Sequence, residues 1–178
     1  MKQINIFGSS EKLLELEDVK ILQLLKSSPS IGINRFGLKY PTEYILFSDT
    51  PMAEDVFNSK TKQKILTNYF CYKYYFKNHP EYNVAGYWEP NSIEGSIGNS
   101  SFFALWWCVQ NKFTHVNLYG ILDSDEYVTR ANGKCIATNI YAPTQQTTFN
   151  DNQFNVLKNL IDTGFNGEIL IKRPLLRH

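Results

Sequence analysis

Cysteine is scarce in this chain. The three present, Cys71, Cys108 and Cys135, are odd in number and form no CxxC pair, which argues against a disulfide framework or a zinc cluster and fits a reducing compartment. Neither sign of charge is in excess. The 18 basic residues nearly cancel the 17 acidic ones, so nucleic acid is not indicated as a partner, and no global attraction to an anionic membrane exists. Apolar runs are short, with none near the roughly 18 residues of a membrane span. The opening Met1-Lys-Gln-Ile-Asn-Ile-Phe-Gly8 has neither the apolar length nor the cleavage site of a secretory signal, so a cytoplasmic protein without a transmembrane segment is expected. Three further absences narrow the chemistry. No GxGxxG, Walker loop or GxSxG elbow occurs, which lowers the dinucleotide-oxidoreductase, P-loop and serine-hydrolase readings. His79, His115 and His178 have no mutual spacing of a metal site or triad.

What is present is apolar and aromatic, at 43% and 15% of the chain, enough for one core in a domain of ordinary size. Gln3 to Phe7 reads as a buried strand, stopped by Gly8-Ser9-Ser10, before a helix marked by Leu13, Leu16, Ile21 and Leu25. Ser30 to Asn34, Tyr44 to Phe47 and Lys64 to Phe70 read as further strands, and Pro51 suits the first turn of a short helix. A helix over Asn99 to Lys112 follows, then a strand from Val116 to Ile121. The stretch from about 123 to 149 loses periodicity and reads as an irregular loop region. Asp151 to Thr163 reads as a helix, closed by Gly164, and Glu168 to Lys172 as a last strand. Alternating strands and helices predict an α/β fold, a single Rossmann-like domain with a mostly parallel sheet and helices on both faces.

Open sheets of this kind place ligands at the carboxyl ends of their strands, so the residues just after each strand are the candidates. Asn99-Ser100-Ser101 opens a helix, where free N–H groups, hydroxyls and the dipole suit an anion; ordinary capping uses the same residues. Asp123-Ser124-Asp125 follows an apolar strand, and two hard carboxylates can hold Mg²⁺ or Mn²⁺ or be solvated loop acids. Asn34-Arg35 offers an amide and a fork of donors for phosphate oxygens, or a turn with a surface arginine. Asp49 can be a base or the cap of a helix begun by Thr50-Pro51. Among the histidines His79 is the best acid/base candidate, since it lies in an irregular polar segment. The aromatic run from Tyr69 to Tyr87 suits a stacking wall, core packing or a homo-oligomer interface.

Gly8-Ser-Ser, Gly32-Ile-Asn-Arg-Phe36, Tyr44-Ile-Leu-Phe-Ser-Asp49 and the Asn99-Ser-Ser, Ala104, Tyr119-Gly120, Asp123 series together resemble bacterial sialyltransferases acting on lipooligosaccharide. They also resemble the related Rossmann-like group of motility accessory factors and an archaeal hydroxymethylpterin pyrophosphokinase. The resemblance spans roughly residues 3 to 123. By position it implies that Ser9, Asn34, Asp49, Asn99, Ser100 and Ser101 hold the nucleotide; joined to the reading of the strand ends, this gives a nucleotide-binding set of Gly8, Ser9, Asn34, Arg35, Asn99, Ser100 and Ser101. Ser9 and Asp49 stand where the sialyltransferases commonly have Asn, and nothing after Asp123 supplies their catalytic histidine except His178. The expectation is a glycosyltransferase-like protein that binds a nucleotide sugar and transfers the sugar to an acceptor. Asp49 or His79 would then be the base, and Asp123 and Asp125 the metal ligands. Pyrophosphoryl transfer to a pterin-like alcohol and a nucleotide-sequestering module are the alternatives.

Overall fold

The computed structural model describes residues 1–89, 100–121, 128–130, 134–138 and 146–174. Its main sheet contains β1 (Gln3–Phe7), β2 (Ser30–Ile33), β3 (Tyr44–Leu46), β4 (Lys64–Asn68), β5 (Val84–Trp88), β6 (His115–Tyr119) and β10 (Leu170–Lys172). They lie in the order β10-β6-β1-β2-β3-β4-β5, every neighbouring pair parallel. The helices are α1 (Asp18–Ser27), α2 (Arg35–Lys39), α3 (Thr50–Ser59), α4 (Tyr69–Cys71), α5 (Ser100–Gln110) and α6 (Asp151–Asp162), with a short helical turn, Gly164–Gly167, after α6, and α4 runs on into a π-helical turn, Tyr72–Phe76. This is the Rossmann-like α/β architecture expected from the alternation of elements.

Strand periodicity sorts the core onto two faces. Ile4, Ile6, Ile31, Ile33, Leu46, Leu66, Val116 and Leu118 point to one, where α5 covers them with Phe102, Phe103, Leu105 and Cys108, and α6 adds Leu157 and Ile161. The alternate residues serve the other face. Phe7 and Tyr119 meet Ile21 of α1 and Phe36 of α2, while Ile45, Phe47 and Ile65 meet Met52, Ala53 and Val56 of α3 and Phe76. Each such buried side chain contributes about 1.5–3 kcal/mol of transfer free energy. One polar pair is set into this apolar sheet. Asn117 Nδ2 donates to Asn5 Oδ1 at 3.0 Å and Asn5 Nδ2 to the Leu24 carbonyl at 3.3 Å. Because a slipped register would leave those amides buried and unpaired, the pair fixes β1 against β6 and seats α1.

Four differences from the sequence reading have physical reasons. The helix expected after Ser10 is two pieces, a 3-10 turn at Glu11–Glu15 and then α1. The break lets Leu13 turn inward onto Gly120, whose φ of +68° and lack of a side chain make the room. β5, an edge strand carrying Gly86 and a half-exposed Tyr87 before the buried Trp88, lacks a clean apolar alternation in its sequence and was not expected. The supposed strand to Phe70 ends at Asn68, where the Asn68 side chain caps α4 by accepting from Cys71 N at 2.9 Å. The region from 123 to 149 is not wholly irregular: β7 (Val128–Arg130), β8 (Lys134–Thr138) and β9 (Gln146–Asn150) form a second, antiparallel sheet. Their threonines and branched residues favour strands, and Asn132-Gly133 between the first two is a hairpin signal.

Candidate functional site

All of the parallel strands deliver their following residues to one edge. In strand order that edge carries Gly8-Ser9 after β1, Asn34 after β2, Ser48-Asp49 beyond β3, Asn68 at the end of β4, and Gly120 after β6. The chain reverses its direction of strand addition between β1 and β6, the usual ligand crevice in such sheets. Here that junction is closed at its base. Gly8 N donates to the Tyr119 carbonyl at 2.8 Å and Ser10 N to the Gly120 carbonyl at 3.1 Å. A Cβ on Gly8 would lie 2.4 Å from Gly120 O and 2.6 Å from Ile121 Cγ1, so only glycine allows the approach. Ser9 sits half-buried beside it.

The unusual geometry lies one strand over. Asn34 joins β2 directly to α2 with φ 53° and ψ −128°, a left-handed conformation that a non-glycine residue adopts only under constraint. The constraints are visible. Asn34 N donates to the Leu46 carbonyl at 2.9 Å, and its carbonyl accepts from Gly37 N at 3.0 Å. Gly32 and Gly37 let strand and helix touch, since a Cβ on Gly32 would fall 2.7 Å from Gly37 Cα. The Asn34 side chain is then held with Oδ1 buried and, among the described residues, without a hydrogen-bond partner. A buried acceptor left unpaired on such a residue has the capacity to receive a donor from a bound molecule.

Next to it, Ser48 and Ser100 join three elements. Ser48 follows Phe47, so alternation turns its side chain to the α5 face, where its Oγ lies 3.2 Å from Ser100 Oγ at the first residue of α5. Asn68 Nδ2 donates to the Ser48 carbonyl at 2.7 Å. Ser48 and Asn68 were not among the expected site residues. The sequence signal was there for both, a polar residue directly after a buried strand, but Asn68 was hidden by a strand drawn too long. Tyr69, Tyr72 and Tyr87 continue the edge beyond Asn68, with Tyr72 and Tyr87 stacked at 4.3 Å between ring centres.

The other expected residues divide. Ser101 is half-buried in the first turn of α5. Asp49 is exposed and caps α3, Met52 N donating to its Oδ1 at 2.8 Å. Arg35 opens α2 at this edge, yet its guanidinium pairs with Asp55 of α3 at 2.9 Å, both partly exposed. His79 is elsewhere: it precedes β5, at the amino edge, about 16 Å away by the length of β4. The structure therefore does not bring His79 together with the carboxyl-edge residues. Asn99, Asp123 and Asp125 lie outside the described residues, and among the described residues no group of three or more His, Cys, Asp or Glu gathers as a metal site. Burial raises the pKa of Cys71 and, more strongly, of Cys108, so neither thiol is a thiolate nucleophile at neutral pH. No family model matches the chain, and no curated protein matches it.

Proposed function

We propose that the protein binds a nucleotide sugar at the carboxyl edge of the sheet, across Asn34, Ser48, Ser100 and Asn68, and transfers the sugar to an acceptor hydroxyl. The observation that carries this reading is Asn34, strained in its backbone and unpaired at Oδ1. The groups around it are neutral amides and hydroxyls, which suit the hydroxyls and ring donors of a nucleoside, while the start of α5 offers N–H groups to the phosphates. The motif likeness to sialyltransferases supports the donor class. In the transfer, Asp49 takes the proton of the acceptor hydroxyl through its second carboxylate oxygen. The hydroxyl oxygen bonds to the anomeric carbon, and the bond from that carbon to the phosphate oxygen breaks, its electron pair leaving with the nucleotide.

A thermal-shift panel of CMP-, UDP- and GDP-sugars, with and without Mn²⁺, tests the binding. One donor is expected to stabilise the fold saturably, by about 2.7 kcal/mol at a hundredfold excess over Kd. Ser100→Leu should remove that shift without unfolding the chain. No shift with any nucleotide would overturn the reading. A second reading, nucleotide sequestration without transfer, is favoured by one observation: Asp49 already holds the start of α3. Free nucleotide released slowly from the bound donor, and lost in Asp49→Asn, supports transfer. A donor intact after hours beside saturating protein supports sequestration.

A further inference from the structure

At the amino edge of the same sheet a cleft of about 370 Å³ opens between the end of α3, the turn before β4 and the turn before β5. That volume accommodates a single-ring molecule. Its floor is aromatic. Phe57 and Tyr82 stack at 5.2 Å, locked by the Tyr82 hydroxyl donating to the Phe57 carbonyl, and the His79 ring meets Phe57 edge-on at 4.8 Å. Lys60 and Lys62 line the rim. Lys60 is placed there by a left-handed C-cap, φ 52°, which ends α3.

Charge and hydrogen-bonding capacity specify the occupant. Two ammonium groups against the Glu81 carboxylate leave one positive charge, the complement of a monoanion. Glu81 is held ionised, its pKa lowered by its own backbone N–H and by His79 and Lys62, so the 3.1 Å contact to His79 Nδ1 requires that nitrogen to be the donor. Nε2 is then the ring nitrogen left for an occupant. We propose that this cleft binds a small hydroxylated aromatic carboxylate, its ring against Phe57 and Tyr82, its carboxylate between Lys60 and Lys62, and its hydroxyl hydrogen-bonded to His79 Nε2. This site is independent of the nucleotide reading.

Calorimetric titration of the full chain with 4-hydroxybenzoate, benzoate and 4-hydroxybenzamide tests it. Saturable binding of 4-hydroxybenzoate at one site per chain is expected. Loss of the charge in the amide should weaken binding about ten-fold, since hydrogen bonds to charged groups contribute roughly 1.5–3 kcal/mol. Benzoate should bind several-fold more weakly than 4-hydroxybenzoate in the wild type and equally in His79→Phe. The exposed pair Lys60→Ala/Lys62→Ala, folded by circular dichroism, should lose the preference for acid over amide, and Ser100→Leu should leave binding unchanged. Absence of saturable 4-hydroxybenzoate binding, or equal affinity for acid and amide in the wild type, would overturn the proposal.

Discussion

The two ends of the parallel sheet are built from the same strands but carry opposite chemistry. At the carboxyl end the chain turns straight into helix starts, and the side chains nearest Asn34 and Ser100 are neutral amides and hydroxyls, Ser48 and Asn68, while the charged Arg35 and Asp49 are engaged by Asp55 and by the α3 cap. At the amino end the turns are longer, and the cleft is lined by charged and aromatic groups that have satisfied one another, His79 with Glu81 and Tyr82 with Phe57. Non-glycine residues of positive φ occur at both ends, Asn34 at the first and Lys60 and Lys112 at the second, but Lys60 lies in the left-handed region that helix ends commonly adopt, whereas Asn34 combines φ 53° with ψ −128° and an unpaired, buried Oδ1. A strained residue with an unpaired acceptor has a stability to gain by being replaced, whereas a relaxed helix cap does not. That difference can be broken deliberately.

The largest effect is expected from the Gly32–Gly37 contact beneath the sharp β2–α2 elbow at Asn34. In Gly32→Ala the new methyl meets backbone, Gly37 Cα at 2.7 Å and Gly37 N at 2.9 Å, and neither can rotate away. A loss of about 3 kcal/mol by urea unfolding is expected from overpacking of this severity. Nucleotide stabilisation should vanish with it, and 4-hydroxybenzoate binding at the amino edge should persist in the folded fraction. A loss below 0.5 kcal/mol, roughly the noise of surface substitutions, would mean that the elbow is loose.

Asn34→Gly sharpens the comparison in the opposite direction. Glycine accepts φ 53° without steric penalty, so relief of strain, less the added chain entropy, should raise stability by about 1 kcal/mol. The same change removes Oδ1 and should abolish nucleotide binding. A variant more stable and inactive marks Asn34 as kept for its ligand; one less stable shows that the side chain serves the fold. Asp49→Ala comes next, losing the cap of α3 at about 1 kcal/mol in either functional reading. What differs is catalysis. If Asp49 is the base, donor turnover should fall by two or more orders of magnitude while nucleotide affinity stays within a few-fold.

These elements also show how far the sequence could be read. Hydrophobic periodicity was enough for the centre of the sheet, because Ile4 and Ile6, Ile31 and Ile33, and Val116 and Leu118 alternate in strands flanked by helix-forming runs, but not for the edge strand β5. It was enough to place Asn34 and Ser100 at strand and helix ends, and hence on one edge. It could not show the strain, since an asparagine in a turn reads the same at any φ. Nor could it show that Arg35 is engaged by Asp55, twenty residues on, or that His79 falls on the far edge, because both depend on how β4 and β5 are added to the sheet. The small β7–β9 sheet escaped because its residues are polar and β-branched, and pattern reading weights apolar alternation.

The Arg35–Asp55 pair gives the smallest effect and the finest test of where the carboxyl-edge site stops. Both side chains are about a third or more exposed, at 34% and 42%, so solvent screens the pair and Asp55→Asn should change stability by no more than about 0.5 kcal/mol. The substitution nonetheless frees a guanidinium at the first residue of α2, next to Asn34. If Arg35 belongs to the nucleotide site, its released donors can form a charge-assisted pair with a phosphate oxygen, and CMP affinity should rise several-fold while cytidine affinity stays constant. The gain should shrink as salt is raised from 50 to 300 mM, since the screening length falls from about 14 Å to about 6 Å over that range. Equal CMP and cytidine responses would remove Arg35 from the site and leave recognition to the neutral groups of β2, β3, β4 and α5.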